Sequence, residues 1–281
     1  MNNNVSTLPT PSVAQCETCP LYNNAQLVKL GINMTDWDYI VALAGNPNTG
    51  KSTVFNALTG LRQHTGNWPG KTVTRAEGGY LYGDKHYKLV DLPGTYSLLS
   101  TSVDEEVARD FILFGQPTVT VVVADATRLE RNLNLVLQVL EITDRVVIAL
   151  NLMDEAKRHG LEVDERKLSR ELGVPAVPMV ARRGEGVEEL LSTIAQVADG
   201  SYKTRPHRIK QRDPKLEAAV TELTQEVKTF FPGLPNARWV AMRLLDGDES
   251  IIHAVQEKTL GDLTIRDRGR LEAALQPEAV S

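Results

Sequence analysis

The stretch Gly45-Asn-Pro-Asn-Thr-Gly-Lys-Ser52 decides which fold this chain adopts. It has the spacing G-x-x-x-x-G-K-S and lies between the apolar run YIVALAG and the helical pattern STVFNALTGL. A strand, a glycine-containing loop and a helix in this order wrap backbone N–H groups around a phosphate. We predict that Lys51 bridges β- and γ-phosphate oxygens and that the Ser52 hydroxyl ligates Mg²⁺. The alternative is a glycine-rich turn without a ligand.

Short apolar runs alternate with helical patterns from Tyr39 to about Gly200. The runs TVTVVVADA, RVVIALNL and PAVPMVA predict strands, and RNLNLVLQVLEI and ERKLSRELG predict helices between them. The segment TVTRAEGGYLYGDKHYKLVDLPG predicts two strands joined at Gly83-Asp84, a hairpin turn signal. We therefore predict an α/β fold with a mostly parallel sheet, helices on both faces and one antiparallel hairpin strand.

Only helical patterns follow Gly200. The apolar residues Leu216, Val220, Leu223, Val227 and Phe230 recur at helical spacing and predict one apolar helix face. The segments NARWVAMRLL and ESIIHAVQEKTL predict two more helices. The expected organisation is an N-terminal extension, an α/β domain, a basic linker and a small all-α domain, at residues 1–36, 37–200, 201–212 and 213–281.

The composition narrows the classes of function. A formal net charge of −5 argues against broad nucleic-acid binding, which normally requires a basic surface. No apolar run reaches the ~18 residues of a membrane-spanning helix. Two cysteines in 281 residues do not form a disulfide framework. We expect a soluble protein of the reducing cytosol.

Two polar segments leave alternatives open. Cys16-Glu-Thr-Cys19 has the spacing of metal ligands, but a zinc site needs about four ligands and no second pair follows. A surface cysteine pair is the alternative. The basic segment Lys203–Arg212 is either a solvated connector or a contact for anionic lipid.

A second motif, Asp91-Leu-Pro-Gly94, ends a predicted strand. We expect the Asp91 carboxylate to support the Mg²⁺ through water and the Gly94 N–H to contact the γ-phosphate. On its own this pattern could be an ordinary turn. Its position at a strand end after the phosphate loop favours a sensor of the γ-phosphate.

The choice of base is predicted from Asn151-Leu-Met-Asp154. A carboxylate at Asp154 can accept hydrogen bonds from N1–H and N2–H of guanine, whereas adenine leaves it unpaired, so guanine is favoured strongly. The alternative is an aspartate that begins a helix. In the segment Val180-Ala-Arg182, the Ala181 N–H is placed to meet guanine O6.

The segment Gly66-Asn-Trp-Pro-Gly-Lys-Thr72 contains Gly and Pro residues that predict irregular structure before a strand. A threonine there can ligate Mg²⁺ when the γ-phosphate is present and leave when it is gone. The alternative is a plain loop tip.

These motifs together resemble the cytosolic N-terminal part of the FeoB family of bacterial ferrous-iron transport proteins. The matching segments span about residues 38–260 and are GNPNTGKSTVFNALTG, GNWPGKTV, DLPGTYSL, NLMDEAKRHG and NARWVAMRLLDGD. The resemblance implies a Ras-like GTPase domain followed by a helical domain that stabilises the GDP-bound state. It also implies an iron permease domain in the membrane of the same polypeptide, on whose cytoplasmic side this portion lies.

Some positions depart from the common GTPase pattern. Leu152 replaces the lysine that often follows the asparagine of the base motif, and Val180 replaces a serine before Ala181. Thr95 replaces the glutamine that orients water in Ras-like enzymes, so slow intrinsic hydrolysis is expected. In this family an asparagine at position 48 goes with activation by K⁺; the alternative is that Asn48 only braces the loop.

We therefore predict a GTPase that uses Mg²⁺ and K⁺, with Lys51, Thr72 and Asn48 as catalytic residues. Ser52, Thr72 and Asp91 are predicted for Mg²⁺, and Asn48 for K⁺. A ribosome- or tRNA-directed GTPase and a non-catalytic GDP/GTP sensor are the alternatives, and a homo-oligomer stays open. The predicted nucleotide-binding residues are Gly45, Asn46, Pro47, Asn48, Thr49, Gly50, Lys51, Ser52, Thr53, Gly70, Lys71, Thr72, Asp91, Gly94, Asn151, Leu152, Asp154, Val180, Ala181 and Arg182.

Overall fold

The computed structural model describes residues 27, 32, 36–60, 63–69, 71–99, 102–208, 213–232, 234, 236–258 and 260. Five predictions lie wholly or partly outside these residues. They concern Gly70, the pair Cys16 and Cys19, the N-terminal extension, residues 209–212 of the basic linker, and the part of the helical domain after residue 260.

A seven-stranded sheet forms the α/β region, with the strand order β2-β3-β4-β1-β5-β6-β7. The strand β1 pairs in parallel with β4 and β5, and β6 pairs in parallel with β5 and β7. The mostly parallel sheet is thus confirmed. The strands are β1 Tyr39–Gly45, β2 Gln63–Asn67, β3 Thr74–Tyr82, β4 Lys85–Asp91, β5 Val119–Asp125, β6 Val146–Asn151 and β7 Ala176–Pro178.

One strand, β3, runs antiparallel to the other six, as predicted, because it lies between β2 and β4 and is antiparallel to both. The predicted hairpin is present, since β3 and β4 are joined by Gly83-Asp84, but β2 pairs antiparallel with β3 as a further edge strand. Gly66 and Asn67, predicted to be irregular, belong to β2. Both residues are exposed, so no apolar alternation marks the strand, and backbone pairing alone defines it.

Helices cover both faces of the sheet, as predicted. Alternate side chains of β1 enter two separate apolar clusters, with Ile40 and Ala42 in one and Val41 and Leu43 in the other. In the part of the chain that the structure describes, no helix has the length and apolar character needed to cross a membrane. The helices are α1 Lys51–Thr59, α2 Val103–Gly115, α3 Leu129–Ile142, α4 Met153–Arg158, α5 Glu165–Leu172, α6 Val187–Asp199, α7 Pro214–Phe230, α8 Ala237–Leu245 and α9 Glu249–Gln256.

The helix α2 was not predicted from apolar patterns, although the sequence contains a signal for its beginning. Ser102 caps it by accepting a hydrogen bond from the Glu105 N–H at 3.2 Å, and the pair has the S-x-x-E spacing of a capping box. Most of its residues are buried, Arg109 among them. Because apolar and charged side chains are buried together, the helical period is blurred in the sequence.

The predicted helical region contains α7, α8 and α9, and the apolar face predicted for α7 is only partly correct. Val220 and Val227 are buried, but Leu216 is 38% exposed and Phe230 is 75% exposed. The helix α8 packs on α7. The apolar residues Val227, Val240 and Ile251 join the same cluster as α2 and α3.

The first part of the predicted basic linker is attached to the α/β region through backbone contacts. The Arg205 N–H donates to the Gly173 carbonyl and the His207 N–H to the Leu172 carbonyl, each at 2.9 Å. The Thr204 hydroxyl donates to the Asp144 carbonyl at 2.6 Å. Residues 204–207 therefore form a backbone-bonded strap rather than a free connector.

We expect Gly173→Ala to lower the free energy of unfolding by about 2–4 kcal/mol, the range of strong backbone and overpacking effects. Gly173 has φ +73°, and a Cβ there would lie 1.9 Å from the Arg205 carbonyl oxygen. Gly200→Ala is the matched control, since Gly200 has φ +80° with open space around it. It should lose only about 1 kcal/mol for the left-handed backbone. Equal losses in urea unfolding would contradict the strap.

Candidate nucleotide-binding site

The loop Gly45–Ser52 follows β1 and leads into α1, as predicted. Two of its glycines are required by close approach of other groups. A Cβ on Gly45 would lie 2.8 Å from the Val123 carbonyl oxygen, and one on Gly50, whose φ is +81°, would lie 2.4 Å from Asn151 Nδ2. The loop is therefore pressed against the ends of β5 and β6.

Two asparagines of this loop have opposite surroundings. Asn48 is exposed and adopts a left-handed backbone with φ 67°, which asparagine tolerates better than most residues. No hydrogen bond from its side chain to another described residue is present. Asn46 is 3% exposed, and both polar atoms of its side chain are buried without a partner among the described residues.

Lys51 and Asp91 form an ion pair at the base of the loop. The Lys51 Nζ lies 2.5 Å from Asp91 Oδ1, and both side chains are largely buried. Burial raises the pKa of the Asp91 carboxyl, and the neighbouring Lys51 ammonium offsets part of this rise. The structure thus brings together the two charged groups predicted for the phosphates and the metal.

The loop after β4 lies against the phosphate loop. A Cβ on Gly94 would be 3.5 Å from Pro47, and the Thr95 N–H donates to the Gly45 carbonyl at 3.2 Å. Thr95 is buried, and its hydroxyl donates to the Ser97 carbonyl. The side chain at the position of the Ras-like glutamine is therefore engaged within its own loop.

Asn151, at the end of β6, connects two of the predicted binding segments. Its Nδ2 donates to the Thr49 carbonyl at 3.0 Å, and its Oδ1 accepts from the Ala181 N–H at 3.0 Å. All of these contacts are buried. The Ala181 N–H that was predicted for guanine O6 is thus already bonded to Asn151, and an O6 contact would have to share it.

Asp154 lies in the first turn of α4, close to two arginines. Its Oδ2 accepts from Arg182 and lies 3.3 Å from Arg183 Nη2. Although desolvation opposes ionisation, the two guanidinium groups lower the pKa of the Asp154 carboxyl. The other oxygen, Oδ1, is buried without a partner among the described residues. An ionised carboxylate with one unused acceptor oxygen fits the N–H donors of guanine.

The segment before β3 is held by contacts with α2 that the sequence did not indicate. Trp68 is 3% exposed and contacts Phe111 of α2 edge-on, with ring centroids 5.4 Å apart. The Lys71 Nζ lies 3.4 Å from Glu106 Oε2, whereas Thr72 is exposed. Thr72 therefore lies at the end of a loop that is fixed to α2 through Trp68 and Lys71.

Three further predicted residues lie at the beginnings of helices and turns. Thr53 lies in the first turn of α1, and Val180 precedes the short turn that contains Ala181 and Arg182. Leu152, at φ 64°, is the N-cap residue that precedes α4 and has a left-handed conformation. Reasoning from motifs missed Arg183 and Glu106, because neither belongs to a binding motif; the adjacent pair Arg182-Arg183 was the only signal for the former.

The family described as "Ferrous iron transport protein B" matches residues 39–194, which is more than half of the chain. The chain belongs to the FeoB family. A second match, to the FeoB cytosolic helical domain, covers residues 213–280. The resemblance predicted from the motifs is confirmed, and the α/β region is a FeoB-family G domain.

Relatives in this family include the Fe(2+) transporter FeoB of Escherichia coli (strain K12), which is 41% identical over 214 residues. The match covers 74% of this chain and 27% of that protein, so the chain spans about a quarter of the curated relative. The cytosolic domain of T. maritima FeoB in GDP form I is 37% identical with a TM-score of 0.71, over 84% of this chain and 92% of that one. The cytosolic domain of L. pneumophila FeoB is 31% identical with a TM-score of 0.68, over 83% and 98%.

We expect Asp154→Asn to weaken GDP binding by roughly ten- to a hundredfold, the value of a hydrogen bond to a charged group. The same change should improve binding of xanthosine diphosphate, because an amide donor replaces an acceptor opposite the 2-position. Titration with fluorescent GDP and fluorescent xanthosine diphosphate measures the affinity of each variant for both nucleotides.

The matched control for this change is Asp164→Asn. Asp164 caps α5 by accepting from the Lys167 N–H at 2.8 Å, and asparagine caps a helix equally well. GDP affinity should be unaltered in the control. An Asp154→Asn protein with the GDP affinity of the parent would contradict the assignment of the base.

Proposed function

We propose that this chain binds GTP, hydrolyses it to GDP and acts as a nucleotide-dependent switch. The observation that carries the proposal is the pair of buried hydrogen bonds at Asn151, one donated to the Thr49 carbonyl and one accepted from the Ala181 N–H. They hold the phosphate loop and the Ala181 turn beside Asp154, whose Oδ1 is an unused buried acceptor. The T. maritima cytosolic domain, a relative of similar fold, occurs in a GDP form and a GMPPNP form, which supports guanine nucleotides as the ligands.

The phosphates are proposed to lie along the loop between Gly45 and Ser52. Its backbone N–H groups and the N-terminus of α1 provide positive potential for them, and Lys51 supplies a full charge. Ser52, Thr72 and Asp91 fit a Mg²⁺ ion, because two hydroxyls and a carboxylate are hard oxygen donors of the kind that it prefers. Bound there, the ion would neutralise charge on the β- and γ-oxygens.

Asn48 is proposed to hold a K⁺ ion against the phosphates. Its side chain is exposed at the loop tip, and no described residue hydrogen-bonds to it, which favours a ligand role over a bracing role. Since Thr95 supplies no water-orienting amide, a fixed cation is a reasonable source of transition-state stabilisation. Slow hydrolysis in the absence of K⁺ is part of the proposal.

The helical region, residues 213–281, is proposed to stabilise the GDP-bound state. We further propose that the nucleotide state regulates or drives ferrous-iron uptake. This part of the proposal rests on the curated relatives named as Fe(2+) transporters, of which the chain matches only a part. The switch would then act on an iron permease domain of the same polypeptide from the cytoplasmic side of the inner membrane.

Membership of the FeoB family favours this function over an RNA-directed GTPase. The second alternative, a GDP/GTP sensor without catalysis, predicts that GTP is not turned over repeatedly. Release of more than one phosphate per protein molecule from excess GTP supports an enzyme. Release of one equivalent or less would reduce the proposal to nucleotide sensing.

We expect Thr72→Ala to slow GTP hydrolysis by about tenfold or more, since even indirect partners of a metal site typically contribute 10–100-fold. GDP affinity should barely change, because Lys51 and the loop amides remain. Thr74→Ala is the matched control, an exposed threonine two residues further on. An equal loss of GDP binding in Thr72→Ala would indicate that Thr72 is structural.

We expect GTP hydrolysis to be more than about tenfold faster in K⁺ than in Na⁺ at equal ionic strength. An arginine in the same role contributes about 10³–10⁵ in rate, and a less rigidly held ion should contribute less. The difference should disappear in Asn48→Ala and persist in Asn56→Ala, which removes an amide from α1 outside the loop. Equal rates of phosphate release in both salts for the parent protein would return Asn48 to a bracing role.

A further inference from the structure

The helix α2 contacts both loops that flank the γ-phosphate position. Glu105 accepts from the Ser97 hydroxyl at 2.8 Å, and Ser97 lies three residues after Gly94. On the next residue, the Glu106 carboxylate pairs with Lys71, the neighbour of Thr72. Any displacement of α2 would therefore move both loops, one on each side of the proposed nucleotide position.

One turn further along, α2 contacts the helical region through Arg109. The guanidinium is fully buried, at 0% exposure. Its Nε and Nη2 lie 2.9 and 2.8 Å from Asp110 Oδ1, and its Nη1 donates to the Ser250 hydroxyl at 3.2 Å. Asp248 Oδ2 lies 3.9 Å from Nη1. A charged group of α2 is thus inserted at the beginning of α9.

The electrostatics of this contact depend on Asp248. It caps α9 by accepting from the N–H groups of Ser250 and Ile251 at 3.1 and 3.3 Å. A helix N-terminus repels a cation, and the Asp248 carboxylate, together with Asp110, offsets that repulsion of Arg109. The contact therefore constrains where α2 stands relative to α9.

Attachment of the helical region does not by itself require this buried charge. At the opposite side, Asn236 donates to the carbonyls of Glu141 and Ile142, at 2.8 and 2.5 Å, at the end of α3. Apolar residues of α8 and α9 also pack into the shared cluster. Burying a guanidinium is expensive and is weak evidence for added stability. We therefore attribute a different role to the buried Arg109 guanidinium, which is to fix the position of α2 relative to α9.

We propose that Arg109 is a positioning residue through which the helical region controls nucleotide release. By tying α2 to the capped start of α9, it holds the Ser97 and Lys71 loops in the arrangement that retains GDP. The proposal rests on the proposed guanine-nucleotide function and names the contact that would transmit the effect of the helical region. Loosening Arg109 frees α2, and both loops then open more often.

Asp248→Asn is the sharpest test, because asparagine retains the helix cap while the charge facing Arg109 is removed. Dissociation of a fluorescent GDP should become roughly three- to tenfold faster, within the range by which coupling networks modulate binding. Asp213→Asn is the matched control. Asp213 caps α7 by accepting from the Lys215 N–H at 2.8 Å, and its replacement should leave the dissociation rate unchanged.

Variants at Arg109, Ser250 and Asn236 separate positioning from attachment. In the Arg109→Met background, Asp248→Asn should produce no additional acceleration, since the two residues act through one contact; Ser250→Ala provides the same information if Arg109→Met fails to fold. Asn236→Ala loosens the helical region at α3, and the thermal midpoints of all variants are compared. Asp248→Asn should accelerate GDP release more than Asn236→Ala at equal loss of stability.

The proposal is overturned if Asp248→Asn releases GDP at the rate of the parent and Asp213→Asn. It is also overturned if Asn236→Ala accelerates release as much at the same thermal midpoint, because attachment in general would then be responsible. Failure of the parent protein to bind GDP at all is a separate outcome that rejects the nucleotide-binding function itself.

Discussion

The side chain of Asn151 donates to the carbonyl of Thr49 and accepts from the N–H of Ala181, and both hydrogen bonds are buried. Most buried amides are hydrogen-bonded, and the phosphate loop and the Ala181 turn stand where they satisfy both polar atoms of this one. The loop approaches closely enough that position 50 has no room for a Cβ. The geometry of the predicted nucleotide site thus follows from one amide at a strand end.

The surroundings of that amide explain why the site lies where it does. β1, β4, β5 and β6 run parallel, so their carboxyl ends and the loops that follow them share one edge of the sheet, which is where α/β folds bind ligands. At this edge Lys51 meets Asp91, and Asp154 meets Arg182 and Arg183. Charges that are distant in the chain are paired because four strands end together.

The site also depends on α2, although α2 contains none of the residues predicted to bind the nucleotide. Within about one turn it presents Glu105 to one loop, Glu106 to the other and Arg109 to α9. Polar and charged groups on consecutive residues point in different directions around a helix. This is how one short segment can connect three parts of the molecule, and also why its apolar period is hard to read.

The sequence by itself determined the α/β order, the loop Gly45–Ser52 and the family, because strand–loop–helix patterns and binding motifs are local. It also indicated the hairpin at Gly83-Asp84 and the helices of the C-terminal region. It missed β2, in which residues 64–67 are all exposed and show no apolar period. It also placed Phe230 on a buried face although the residue is 75% exposed. Tertiary structure alone decided the Arg182 and Arg183 contacts with Asp154, the strap at residues 204–207 and the burial of Arg109. These contacts join residues from distant segments of the chain. The sequence around a residue does not indicate which distant residue it will contact.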